Sequence, residues 1–306
     1  MPALVLNRVT KNFGDKRAVD DLSFAVPDGQ IFGFLGGNGA GKTTSLRMVL
    51  DIIRPDSGSI EVLGRAPGRE NARELGFLPE ERGLYRSMTA LDTIAYFGRL
   101  KGMSAADARQ QGSALLDRFG LGAEAKTKVE KLSKGMAQKV QLATAIVNAP
   151  RLVILDEPFS GLDPVNQTLL EDEVLRLART GATVIFSTHV MQHAERLCDR
   201  LLLIARGKKV FEGTQDEARG ALPARLSIVS RHSPLGATGV AHAEPEGTAD
   251  AGGWQRWRVQ LAPGSDAGGV LEAFTQSGFA LRQFDERRPS LHDAFIHLVG
   301  PQEIPA

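Results

Sequence analysis

Nine consecutive residues, Gly36-Gly37-Asn38-Gly39-Ala40-Gly41-Lys42-Thr43-Thr44, concentrate more chemistry than any other stretch of the chain. They fit the pattern G-x-x-x-x-G-K-[ST] in full. Glycines let a backbone turn its N–H groups inward against a polyanion, and a following helix adds the positive end of its dipole. In that arrangement Lys42 reaches the β- and γ-phosphates of a nucleoside triphosphate, and the Thr43 hydroxyl is placed to hold Mg²⁺. The competing reading is a glycine-rich turn with a chance lysine. The flanks argue against it. The apolar stretch 31–35 reads as a buried strand, and 45–50 has apolar residues at helical spacing.

Two further strand ends carry reactive side chains. The run Leu152-Val153-Ile154-Leu155 is continuously apolar, as in a buried parallel strand, and finishes on Asp156-Glu157-Pro158. Asp156 is suited to hold Mg²⁺ directly or through water, and Glu157 to orient an attacking water. An acidic strand-end turn is the plainer alternative. The run 183–188 ends on His189, suited to contact a γ-phosphate or align the water. His193, His232, His242, His292 and His297 show no ligand spacing. Phe13, beside a turn, presents a face on which a nucleotide base could stack; burial in the core is the alternative.

The elements that must position these groups alternate strand and helix. Residues 3–10 alternate apolar and polar like an exposed-edge strand, and 22–26 is a second strand. Short strands follow at 58–64 and 75–78, the latter running into a loop that contains Pro79. Apolar spacing at Leu91, Ile94, Ala95, Phe97 and Leu100 predicts one helix, 105–119 a second, with Gly102, Gly120 and Gly122 as stops. This block, about 85–150, reads as a helical insertion. Ser133 is an N-cap residue for a helix over 137–148, which Pro150 terminates. A helix over 165–179 precedes the strand ending on His189. Such alternation predicts an α/β fold with its ligand at the carboxyl ends of parallel strands, where Lys42, Asp156, Glu157 and His189 all fall.

The texture changes near residue 220. Residues 232–253 are rich in Gly, Ala, Pro and Glu with little periodicity. Trp254 and Trp257 then open a strand to Leu261, on opposite faces because their separation is odd. A helix over 265–277, a strand over 279–284 and a helix over 290–299 complete a small α+β domain, 221–306, after a main domain over 1–220.

Length, 306 residues, suits one large and one small domain, and 42% hydrophobic content is enough for a core. A net charge of +1 from 37 basic and 36 acidic residues gives no global pull toward nucleic acid. Cys198 is the only cysteine, which excludes an internal disulfide and points to a reducing compartment. The start has no signal-peptide pattern, and the longest apolar runs are far shorter than the roughly 20 residues a bilayer-spanning helix needs.

At GGNGAGKTT (36–44), LSKGM (132–136), LVILDEP (152–158), SGLD (160–163) and STH (187–189), in that order, the chain resembles the ATP-binding subunits of ABC transporters over roughly residues 3–215. The C-terminal part is similar to the appendage on some bacterial drug-resistance and sodium-export members. The resemblance implies a P-loop fold with a mixed-sheet core, an antiparallel β subdomain and a helical insertion. It implies Phe13 as the base-stacking position, Glu157 as catalytic base and His189 as switch histidine. Ser133 and Gly135 match the signature that contacts ATP bound to a second copy, and Asp163 the loop linking the two sites. Glu80 stands where the family usually has a glutamine that senses Mg²⁺ and the membrane partner; it either ligates Mg²⁺ or points to solvent. Lys134 and Met136 replace the signature's usual glycine and glutamine. The expected molecule is an ATP- and Mg²⁺-dependent ATPase. It works as a homodimer with a separate permease, at the cytoplasmic face of the membrane, with export favoured and no nucleic-acid partner. Rival classes are an ABC-type ATPase acting on DNA or ribosomes, which usually carries two cassettes or a long coiled coil, and a non-catalytic regulator, which intact Lys42, Asp156 and Glu157 disfavour.

Overall fold

The computed structural model describes residues 1–300 apart from 82, 221, 223, 224 and 288. Residue 221, where the sequence places a domain boundary, and residues 301–306 lie outside the described residues. Two compact units are present. One runs from Met1 to Gln215, and the other starts at Asp216.

The first unit begins with three antiparallel strands, β1 (Pro2–Phe13), β2 (Lys16–Pro27) and later β4 (Ser57–Val62), in the order β2-β1-β4. Strand β1 is therefore central, not an edge. Its alternation reports one solvated face and is silent about lateral neighbours, which is why the edge reading fails. Both strands are longer than the sequence suggests, so that Phe13 closes β1 and pairs with Lys16 across the hairpin.

Strand β3 (Ile31–Leu35), buried at every position, leads through the glycine loop into helix α1 (Lys42–Val49). After β5 (Leu75–Leu78) come the helices of the insertion, α2 (Ala90–Leu100), α3 (Ala105–Arg118) and α4 (Lys134–Ile146). Thr89 and Ser104 cap the first two through their side chains. Gly102 and Gly120 adopt left-handed backbone just past their ends, as helix-stopping glycines do. Helix α4 starts three residues before the 137 that apolar periodicity marks, because Ser133 accepts a hydrogen bond from Met136 N–H and so fixes the first turn.

Strand β6 (Leu152–Asp156), α5 (Pro164–Arg179), β7 (Thr183–Thr188), α6 (Met191–Leu197), β8 (Arg200–Ala205) and β9 (Lys208–Gly213) complete this unit. The six-stranded sheet runs β5-β6-β7-β3-β8-β9, parallel except for β9. The phosphate-loop strand β3 thus sits between β7 and β8, deep in the sheet. One hydrophobic core joins Phe24 of β2, Phe32 and Phe34 of β3, Leu46 and Met48 of α1, and Ile154 of β6. Cys198, just past α6, is buried against Gly33 of β3. A Cβ on Gly33 would come within 2.5 Å of its Sγ, so this glycine makes room for the thiol. Burial raises the thiol pKa well above its ordinary value, as expected for a packing residue.

Helix α7 (Gln215–Gly220) precedes a four-stranded antiparallel sheet ordered β11-β12-β10-β13, from β10 (Arg225–Ser230), β11 (Val240–Pro245), β12 (Gln255–Leu261) and β13 (Leu281–Arg287). Leu226, Ile228, Val259 and Leu261 pack on Val270 and Phe274 of helix α8 (Ala267–Gln276). Helix α9 (Leu291–Val299) follows β13 and starts with a capping box between Ser290 and Asp293. Trp257 packs on this core, whereas Trp254 lies just before β12 with the guanidiniums of Arg231 and Arg282 over its ring, at 4.9 and 5.9 Å from the centroid. Among the described residues no helix is long and apolar enough to cross a membrane.

Candidate functional site

Two glycines of the loop pack so closely on neighbouring backbone that a side chain would not fit. A Cβ on Gly36 would lie 2.4 Å from the Ile204 carbonyl oxygen, and one on Gly41, at φ 105°, 2.6 Å from that of Ala18. Both clashes are with backbone and cannot be relieved by a rotamer change. Gly41 also begins α1, whose first turn has no side-chain cap, so its leading N–H groups remain available to an anion.

Lys42 is 6% exposed and folds back over the loop. Its Nζ donates to the Gly36 carbonyl at 2.7 Å and to that of Gly37 at 3.3 Å, and lies 3.2 Å from Glu157 Oε1. Despite this ion pair, Glu157 Oε1 has no partner in hydrogen-bonding geometry. The other carboxylate oxygen, Oε2, stands 3.0 Å from His189 Nδ1. Glu157 is held at φ 47°, a left-handed conformation costing on the order of 1–3 kcal/mol for a residue with a Cβ. That backbone turn follows directly on the last residue of β6.

Asp156 is buried at the end of the same strand. Its Oδ1 accepts from Ser187 Oγ at 2.6 Å and from Thr43 Oγ1 at 3.3 Å. Ser187 Oγ in turn accepts from Glu157 N–H at 2.9 Å. One β7 hydroxyl therefore fixes both acidic residues. Ser187 opens the STH motif at 187–189, but residue type and order assign it no role of its own.

A cavity of about 580 Å³ brings together most of the residues singled out above. Phe13, Gly37, Asn38, Gly39, Ala40, Gly41, Lys42, Thr43, Thr44, Glu80, Glu157 and His189 line it. Lys16, Ala18 and Ser160 line it too, and sequence reasoning missed them. Lys16 follows from the hairpin register that sets it opposite Phe13. Phe13 is 52% exposed, so burial in the core is excluded, and Lys11 Nζ lies over its ring at 5.7 Å from the centroid. Gly36 and Asp156 support the cavity from behind.

Ser133, Gly135 and Asp163 lie outside this cavity. Ser133 is exposed and caps α4. A Cβ on Gly135 would meet the Asn166 side chain at 2.8 Å, and Asp163 accepts from the backbone N–H of that same Asn166. Hydrogen bonds from the backbone and side chain of Asn166 hold the Asp163 carboxyl below its usual range. The starts of α4 and α5 are thus adjacent, and they present an exposed edge that includes Val165.

The donor set fits a magnesium-bound triphosphate. Free loop amides, one buried lysine and a carboxylate oxygen without a hydrogen-bond partner face the same cavity. Among the described residues no three His, Cys, Asp or Glu side chains form a metal cluster. A cation here would rest on Thr43, Asp156, phosphate oxygens and water, as Mg²⁺ commonly does.

The family model described as ABC transporter matches residues 19–160. The Bacillus subtilis (strain 168) protein YhaQ, described as an uncharacterized ABC transporter ATP-binding protein, is 40% identical over 301 residues, covering 97% of this chain and 98% of its own. The chain belongs to the ABC transporter ATP-binding family. It is also similar to the daunorubicin resistance ATP-binding protein DrrA3 of Streptomyces coeruleorubidus, 34% identical over 97% of this chain and 96% of that one. Among solved structures, one titled as the ATP binding subunit of an ABC transporter aligns with a TM-score of 0.67 and 29% identity, over 72% of this chain and 92% of its own. The P-loop fold with a mixed sheet is thereby shared with ABC ATP-binding subunits, and the chain is the ATP-binding subunit of an ABC transporter.

Proposed function

We propose that this subunit hydrolyses ATP, with Mg²⁺, in pockets shared between two copies of itself, and that a separate permease converts dimer closing and opening into transport. Residues 1–220 would be the ATP-binding domain, with its helical insertion at about 85–150, and 221–306 the appendage. The observation that carries this reading is the split in the geometry. Lys42, Thr43, Glu157 and His189 line one cavity with Asp156 behind Thr43, while Ser133, Gly135 and Asp163 lie elsewhere on the same unit, Ser133 and Asp163 exposed and Gly135 half-buried.

Phe13 stacks on the base, and the amides of Gly37 to Thr44 hold the phosphates. Thr43 and Asp156 hold Mg²⁺, with Glu80 on the cavity wall as a further oxygen donor or as a sensor of the permease. When bound, the cation neutralises developing charge on the phosphates. Lys42 leaves the Gly36 and Gly37 carbonyls for phosphate oxygens, which frees Glu157 to take a proton from the attacking water. His189 orients that carboxylate and contacts the γ-phosphate. Ser133 and Gly135 of the second copy complete the site through the N-terminus of α4, and Asp163 connects the two pockets. ATP therefore joins the copies, and its loss separates them.

The permease holds the subunit at the cytoplasmic face of the membrane. Similarity to a daunorubicin resistance protein over nearly the whole chain favours outward transport, since removing a drug confers resistance. No nucleic-acid partner is required. The test is the ATPase rate at increasing chain concentration. The rate per chain should climb and then saturate as dimers form. A rate per chain independent of concentration down to dilutions where only monomer exists would overturn the shared-pocket reading.

A further inference from the structure

We propose that the C-terminal unit carries a second anion site, in which Arg225, Arg258 and Arg287 bind a phosphate group. These side chains, with Glu246 and Asp293, frame a cavity of about 220 Å³ floored by Leu226, Ser227 and Pro289. Arg225 and Arg287 are directly opposite each other on the neighbouring antiparallel strands β10 and β13. Like charges in that register repel unless something lies between them. Among the described residues neither forms an ion pair.

Both acids in the lining are already engaged. Glu246 takes Arg258 at 2.7 Å. Asp293 accepts from the backbone N–H of Ser290 at 3.0 Å and from its hydroxyl at 2.6 Å, as part of the α9 capping box. Three guanidiniums against two committed carboxylates leave the cavity net positive. The Glu246 carboxyl registers this field. The Arg258 hydrogen bond holds it below the usual range, and the charges of Arg287 and Arg256 act in the same direction.

Two unpaired planar forks facing one space suit a tetrahedral anion, whose several oxygens can engage both. A planar carboxylate would satisfy a single fork. A cavity of about 220 Å³ leaves room beside one phosphate for the group that carries it, so the ligand class is a phosphate monoester. It is either a soluble one or the headgroup of an anionic lipid.

The test uses the full chain with excess Mg-ADP, so that the nucleotide pocket contributes equally to every sample. Inorganic phosphate is titrated by calorimetry. Wild type should bind saturably, and Arg225→Ala/Arg287→Ala should bind at least about tenfold more weakly. Glu246→Gln, which removes a lining charge and frees Arg258, should bind more tightly, an outcome a merely structural role for the arginines would not give. If the alanine pair loses its circular dichroism, Arg225→Lys/Arg287→Lys keeps charge and length while removing the forks, and it should still bind more weakly than wild type. Sedimentation with phosphatidylcholine vesicles, with and without phosphatidic acid, separates the two sources. Arginine-dependent capture by the acidic vesicles assigns the lipid headgroup, and arginine-dependent binding of free phosphate alone assigns a soluble monoester. Equal behaviour of wild type and both arginine variants toward both probes, or a Glu246→Gln chain that fails to tighten, overturns the proposal.

Discussion

Glu157→Gln should slow ATP hydrolysis by about 10²–10⁴-fold while leaving ATP affinity intact, and the chain should accumulate as an ATP-bound dimer. Glutamine has nearly the same shape, with its single oxygen able to face Lys42 and its amide N–H able to donate to His189 Nδ1, so the strained turn at φ 47° and the cavity wall should persist. What disappears is the carboxylate that accepts a proton from water. If that step separates the copies, blocking it should trap them together. Single-turnover hydrolysis and light scattering with Mg-ATP check both halves. Normal turnover would remove Glu157 from the reaction, and slow turnover without dimer would detach hydrolysis from separation.

Lys42→Met should abolish measurable ATP binding and also destabilise the fold. The side chain is buried, and its Nζ is 3.2 Å from Glu157 Oε1, an oxygen with no hydrogen-bond partner. Removing one member of a buried ion pair typically costs about 3–5 kcal/mol, because the remaining charge is stranded. Adding Glu157→Gln removes the stranded charge, so the double variant should recover most of the lost stability. It should recover none of the nucleotide binding, which depends on a cation at position 42. Thermal unfolding and a fluorescent-nucleotide titration on the two single variants and the double variant form a double-mutant cycle. Equal destabilisation in the single and double variants would mean that Lys42 and Glu157 are not coupled.

Local chemistry was legible in the sequence wherever a motif carries its own geometry. The glycine loop, the strand ending on Asp156 and Glu157, and His189 needed only the identity and order of residues. Lateral order was not legible. Nothing in 31–35 says that β3 lies between β7 and β8, because those neighbours come from roughly 150 to 170 residues further along the chain. The C-terminal sheet was half legible. Strand β12 declares itself through its alternation, but β11 is a polar edge strand whose side chains are mostly exposed, so its pairing comes from β12 and not from any pattern of its own. Ser187, which holds Asp156 and Glu157 together, is visible in the sequence only as the first letter of the STH motif. Its role exists only once β6 and β7 are paired in register.

Complementation between two inactive chains tests the shared pocket most directly. A Lys42→Met chain lacks the phosphate-binding half, and a Ser133→Arg chain blocks the half offered to its neighbour. Mixed dimers contain one pocket in which Lys42 of the second chain meets Ser133 of the first, both intact. The ATPase rate of the mixture should therefore exceed the sum of the two separate rates. A mixture no faster than that sum would mean that each chain completes its own pocket.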